Sequence, residues 1–136
     1  MRPLTSDFFV STTLFISRAS ISFLMLTHGW PKLKKLIAGG EISFADPIGL
    51  GPTISLVLVV FSEVICSLFI ALGYKIRWAL MPLIFTMLVA AFITHAGAGI
   101  YKQEKALLYI IVYLMLAVTG GGRFSMDAWL GTRSKR

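Results

Sequence analysis

Four apolar stretches dominate the sequence, and each is close to the roughly 20 residues that a helix needs to cross the hydrocarbon core of a bilayer. They run approximately over residues 8–29, 51–73, 77–98 and 105–120. Backbone N–H and C=O groups inside lipid must be hydrogen-bonded within a helix or a closed barrel. The pattern therefore predicts an all-α fold, an integral membrane antiparallel four-helix bundle that forms a single domain over residues 1–136.

The composition supports a membrane location. Hydrophobic residues make up 57% of the chain and charged residues only 14%, with a mean hydropathy of +0.82, which excludes a soluble domain with a polar surface. The net charge is +7, but the basic residues lie mostly between the apolar stretches, where they would face lipid head groups rather than nucleic acid. The single cysteine, Cys66, excludes an intramolecular disulfide and a cysteine-based metal site within one chain.

The same basic residues predict an orientation. If the N-terminus is cytoplasmic, that side receives Arg2, Lys75, Arg77, Arg123, Arg133, Lys135 and Arg136, and the other side receives Lys32, Lys34, Lys35, Lys102 and Lys105. This bias predicts that both termini are cytoplasmic and that the loop over residues 30–50 lies outside. The lysine cluster directly after the first stretch favours the opposite orientation.

Two charged residues, Arg18 and Glu63, lie deep inside apolar stretches. At 1.5 Å per residue, Arg18 is ~15 Å from the start of the first helix and Glu63 ~18 Å from the start of the second. In antiparallel helices these depths coincide, which predicts a buried Arg18–Glu63 ion pair. Such a pair either fixes the register of the helices or belongs to a functional site, and both interpretations remain open.

Four further residues complete a candidate ligand site. His28 and His95 lie near helix ends on the side of the long loop, and Tyr109 and Tyr113 share one face of the fourth helix. We predict a pocket with two layers, one of His28, His95 and Tyr109 and one of Arg18, Glu63 and Tyr113. Alternatively, the core is filled and the histidines are interfacial anchors. No metal is predicted, because two histidines and a glutamate on three helices match no metal-binding motif.

Several short motifs together resemble the DoxX family. They are Arg18, the run from His28 to Leu33, Glu63, Leu72-Gly73 followed by a basic residue, His95, and the run from Gly120 to Asp127. Each motif is weak alone, but their order and spacing cover nearly the whole chain. The resemblance implies a small four-helix membrane protein of a family linked to thiosulfate:quinone oxidoreductase, to thiol and oxidative-stress systems and to quinone or catechol detoxification. The chain also resembles four-helix quinone-linked thiol oxidoreductases but lacks their cysteine pair.

Two functional interpretations follow from the resemblance and the polar residues. The first is a membrane component of a redox system in the bacterial cytoplasmic membrane, with a quinone or similar aromatic molecule as its ligand and a redox enzyme subunit as its partner. The second is a non-catalytic membrane scaffold or a small-molecule binding or transport subunit. No nucleotide-binding loop or nucleophile–base pair favours an enzyme that acts alone, and the catalytic residues, if there are any, stay unassigned.

Overall fold

The computed structural model describes residues 7–133, and in this range the chain forms helices and no strand. The helices are α1 (Asp7–Ala38), α2 (Pro52–Leu72), α3 (Ile76–Thr94), α4 (Ile100–Thr119) and α5 (Met126–Arg133). The all-α prediction is confirmed. Three helices, α1, α2 and α3, are long and apolar enough to cross a membrane, whereas α4 carries three charged residues in its first two turns. Arg2, Lys135 and Arg136 of the charge tally lie outside the described residues.

The first helix is longer than the sequence predicted. We expected it to end near Gly29, but α1 continues through Pro31 to Ala38. Leu33 and Leu36 extend its apolar face and pack against α2, so burial outweighs the backbone hydrogen bond that a proline removes. The fourth helix also begins earlier than predicted, at Ile100.

Two apolar clusters hold the helices together. The larger one joins all four long helices and includes Met25, Ile70, Leu83 and Tyr113, each at most 1% exposed. The smaller one is built on α2 around Leu56 and includes side chains of the loop between α1 and α2. This second cluster fixes the loop against the end of the bundle that contains Glu63.

Two of the helices contain a stretch of π-helix. In α2 it runs over Phe61–Cys66 and includes Glu63, and in α3 it runs over Ala90–Thr94 and ends directly before His95. The N–H of His95 donates to the carbonyl of Ala90, five residues earlier, at 3.0 Å. π-Helical turns are rare and occur frequently at functional sites. Both local distortions thus adjoin residues of the predicted ligand site.

The opposite end of the bundle is closed by α5. The Asp127 carboxylate accepts hydrogen bonds from the N–H groups of Lys75 and Ile76, at 2.8 and 3.2 Å, and the N–H of Asp127 donates to the Gly73 carbonyl at 2.9 Å. The first N–H groups of a helix have no partner within that helix. Asp127 therefore caps α3 from a different element and fixes α5 to the turn between α2 and α3.

Candidate functional site

Arg18 does not pair with Glu63, and that prediction is wrong. The guanidinium is fully buried and donates to the backbone carbonyls of Ile70, Ala71 and Phe124, at 3.1, 3.3 and 2.7 Å. All three acceptors belong to the end of the bundle that α5 closes. Arg18 therefore joins α1 to the end of α2 and to the segment that leads into α5.

The error came from the register of α1 against α2. Glu63 lies beside Gly29, where an added Cβ would stand 3.0 Å from the Glu63 Cβ and 2.8 Å from the Val64 Cγ2. Gly29 follows Arg18 by three turns, a separation of about 16 Å along the axis at 1.5 Å per residue. Glu63 is thus three turns from Arg18 in depth, because α1 extends beyond Pro31 and shifts the level at which the two helices meet.

Lys32 is the partner of Glu63. Its ammonium lies 2.6 and 2.7 Å from the two carboxylate oxygens, and this is the one ion pair among the described residues. The Glu63 side chain is 4% exposed and that of Lys32 is 31% exposed, so the carboxylate is buried and the lysine reaches it from the edge of the bundle. Lys32 follows His28 by four residues, hence the two would share a face if the helix continued past Pro31. The sequence analysis ended the helix before Pro31 and therefore did not predict Lys32 as the partner of Glu63.

Lys32 and Glu63 border a small cavity of about 180 Å³, here called the polar chamber because most of its lining residues are charged or polar. Its lining comes from α1, α2, α3 and α4 and consists of Met25, His28, Lys32, Glu63, Met87, His95, Lys102, Lys105, Ala106 and Tyr109. The His28 and Tyr109 rings meet edge to face with their centroids 6.1 Å apart. Four of the six predicted site residues, His28, His95, Tyr109 and Glu63, are therefore brought together around one space, and Glu63 lies with the upper layer of the prediction rather than with Arg18 in the lower one.

The remaining two predicted residues lie outside the chamber. Tyr113 is 1% exposed and stacks below Tyr109, with ring centroids 5.8 Å apart. Its hydroxyl is buried beside the Ser67 hydroxyl, with which it can form a hydrogen bond. Tyr113 can position Tyr109, whereas Arg18 belongs to the opposite end of the bundle.

A larger and more apolar cavity of about 510 Å³, here called the lateral cavity, adjoins the chamber. It lies between α2 and α3, beneath residues 44–48 of the loop, and its walls include Leu58, Val59, Phe61, Phe85 and Val89. Leu58, Phe61 and Phe85 are 46%, 48% and 58% exposed, so the cavity opens on an apolar outer face. Sequence reasoning did not find this cavity, because no single residue in its walls is unusual for a membrane helix.

The two cavities share three lining residues, Lys32, Glu63 and His95. These side chains form a thin polar wall with apolar surface on one side and polar groups on the other. The lateral cavity has a further polar feature in the Ser62 and Thr86 hydroxyls, 2.8 Å apart, which link α2 to α3. Such a space, mostly apolar with a few convergent polar groups, is typical of a small-molecule site.

The chemistry of the wall is that of hydrogen bonding and proton exchange. The ammonium and the imidazole can donate a hydrogen bond to an oxygen atom, the carboxylate can accept one from a hydroxyl group, and each of the three groups can take part in proton transfer. The described residues contain no group of three histidine, cysteine, aspartate or glutamate side chains that could hold a metal ion.

The fold and this site define a class: an all-helical integral membrane protein with a polar site beneath an apolar opening. The DoxX family model matches residues 13–96, more than half of the chain, and the chain therefore belongs to the DoxX family. The matched segment contains Arg18, His28, Lys32, Glu63 and His95. No curated protein and no solved structure matches the chain.

Proposed function

We propose that this DoxX protein binds a quinone or a similar small aromatic molecule in the membrane and serves as the membrane component of a redox system. The observation that supports this most is the lateral cavity, which opens on the apolar face and ends at Lys32, Glu63 and His95. An apolar ring would enter it from lipid, and its oxygen atoms would reach the polar wall. The electrons would come from a partner redox enzyme.

In this proposal each residue of the wall has a role. The Lys32 ammonium and the His95 imidazole donate hydrogen bonds to ligand oxygens, and Glu63 holds Lys32 in place. His28 and Tyr109 lie on the chamber side, where they exchange protons with the solvent or bind a second oxygen. The chain itself then binds, orients and protonates, while the redox step depends on the partner.

The proposal includes a placement in the membrane. Helices α1 to α4 cross the bilayer as four antiparallel spans of a bacterial cytoplasmic membrane, and both termini are cytoplasmic. The loop over residues 39–51 and the polar chamber then lie at the outer side. The first turns of α4, with Lys102 and Lys105, reach the head groups at that side.

Blocking the lateral cavity tests the proposal. Purified protein in phosphatidylcholine nanodiscs is titrated with menadione, and binding is measured by calorimetry. We expect saturable binding that Val59→Trp abolishes, because the indole would fill the cavity. The control is Val118→Trp on α4, since Val118 is 81% exposed and lines neither cavity.

Two results would contradict the proposal. One is the absence of menadione binding to the folded wild-type protein, and the other is equal binding by Val59→Trp and Val118→Trp. If the quinone binds but neither oxidises nor reduces a co-purified partner, the binding role stands and the redox role is wrong.

A further inference from the structure

The polar chamber contains more positive than negative charge. Glu63 is its one carboxylate, and both of its oxygens are held by Lys32 at 2.6 and 2.7 Å. Lys102 and Lys105 line the same chamber, and neither forms an ion pair within the described part of the chain. The chamber thus has two lysine charges beyond the neutral Lys32–Glu63 pair.

The helix geometry holds these two charges together. Lys102 and Lys105 are three residues apart at the start of α4, so they lie on the same face and repel each other. Glu104 lies between them in sequence but does not line the chamber. An anion between the two ammonium groups would remove the repulsion, and the Tyr109 hydroxyl could donate a further hydrogen bond to it.

The lateral cavity lies on the other side of the wall formed by Lys32, Glu63 and His95, and it offers an apolar surface where the chamber offers charged side chains. Its walls are mostly apolar, and it has nearly three times the volume of the chamber, about 510 against 180 Å³. A ligand that fills both spaces must have an apolar body and a charged head. The head would pass the Lys32–Glu63 pair, and the body would stay between α2 and α3.

We infer that the ligand of this site binds as an anion: an apolar molecule with an acidic head group, whose head lies between Lys102, Lys105 and Tyr109 and whose body fills the lateral cavity. The inference rests on the proposed function and specifies its ligand. Acidic hydroxyquinones and long-chain carboxylic acids share this chemistry. Neutral quinones of the same shape would bind less tightly, because they leave the two lysine charges unpaired.

A matched pair of quinones tests the inference. Lawsone, a hydroxynaphthoquinone that is anionic at neutral pH, is compared with its neutral O-methyl ether by calorimetry in phosphatidylcholine nanodiscs at low salt. We expect lawsone to bind about tenfold more tightly, and the preference to shrink as salt is added, since exposed charges are screened. Lys102→Gln and Lys105→Gln should each reduce lawsone affinity about three- to fivefold, in the range of one exposed charge pair.

Lys34→Gln is the matched control for both lysine variants. Lys34 is exposed and lies at the same end of the bundle, but it lines neither cavity. Its replacement removes the same charge, but at a position outside both cavities. Lawsone affinity should therefore stay at the wild-type value. An equal loss in Lys34→Gln would assign the effect to the general surface potential and overturn the inference.

The failures of the two proposals are distinguishable. If lawsone and its ether bind equally tightly, the quinone proposal stands and the anion inference is wrong. If neither quinone binds, the proposed function is wrong, and lauric acid against its methyl ester then tests the anion site alone. The inference fails if lauric acid binds no more tightly than its methyl ester. It also fails if added phosphatidylglycerol abolishes the preference for the anionic ligand in both pairs, because the lysines would then bind lipid head groups.

Discussion

The end of the bundle that holds Arg18 and the end that holds Glu63 each bury one charged side chain, but the surroundings of the two charges differ. Arg18 donates to three backbone carbonyls that come from α2 and from the segment before α5. Glu63 is bound by the side chain of Lys32 and faces two cavities. The first charge is surrounded by protein backbone, and the second borders open space.

The two buried charges differ in whether a ligand could reach them. Around Arg18 there is no room for a ligand, since a Cβ at Gly73, whose φ is +74°, would collide with the guanidinium and with Ser125. At the Glu63 end, the buried carboxylate lies in a π-helical turn and beside a cavity with an apolar opening. Of the two buried charges in this protein, Glu63 is therefore the stronger candidate for a functional role, because it has space beside it.

The largest effect is expected at the Arg18 end. Arg18→Met removes the donor for three carbonyls and the connection between α1, α2 and α5, so the free energy of unfolding should fall by about 3–5 kcal/mol. Thermal unfolding in detergent measures this loss, with Arg18→Lys as a partial rescue. Menadione affinity of the fraction that remains folded should be unchanged, and a selective loss of binding would show that Arg18 belongs to the ligand site.

The next effect is expected at the Glu63 end. Glu63→Gln breaks the ion pair with Lys32, but Lys32 is partly exposed and can turn toward water, so the free energy of unfolding should fall by only about 1–2 kcal/mol. Menadione affinity should fall more clearly than stability does, because Lys32 loses its fixed position. A double-mutant cycle with Lys32→Met measures the coupling of the pair. A larger stability loss than in Arg18→Met would reverse the comparison between the two ends.

A smaller effect is expected from a single hydroxyl in the polar chamber. Tyr109→Phe keeps the ring that packs against His28 and Tyr113, so the melting temperature should stay within the scatter of repeated measurements. Lawsone affinity should fall about three- to tenfold, the range of one lost hydrogen bond. Tyr101→Phe is the control, since Tyr101 is 87% exposed and lines neither cavity. Equal affinities in the two variants would show that the Tyr109 hydroxyl does not meet the ligand.

The sequence predicted the helices better than the site because helix length and hydropathy are local properties. The apolar stretches placed α2 and α3 within a few residues, whereas the continuation of α1 past Pro31 depends on the packing of Leu33 and Leu36 against α2. The same error led to the prediction of Arg18, instead of Lys32, as the partner of Glu63. The convergence of His28, His95 and Tyr109 was predictable, because all three are polar residues at similar depth near one end, whereas Glu63 was expected in the deeper layer with Arg18.

The lateral cavity and the π-helical turns were not predictable from the residues. The wall residues Leu58, Val59, Phe61 and Phe85 are ordinary for a helix in lipid, and a cavity arises only from the spacing of α2 and α3. The role of Phe124 is similar, since its backbone carbonyl and not its side chain binds Arg18. Backbone groups carry no sequence signature.

The smallest effect is expected in the loop that covers the lateral cavity, and it depends on pH. Asp46 is exposed, and partial desolvation opposes its charged form, but hydrogen bonds from the N–H of Gly51, the Ser55 hydroxyl and the N–H of Leu50 hold its pKa below the ordinary value.

Because the folded pKa is lowered, the ionised Asp46 stabilises the loop above the unfolded pKa of about 3.9, and this contribution is lost as the pH falls through the folded pKa. Acidification should therefore loosen residues 44–48 and expose the cavity beneath them, whereas Asp46→Asn should already be loosened at neutral pH and change little on acidification. Proteolysis of the loop between neutral pH and pH 3 checks this with an acid-tolerant protease. Identical pH profiles for the wild type and Asp46→Asn would show that Asp46 does not hold the loop over the cavity.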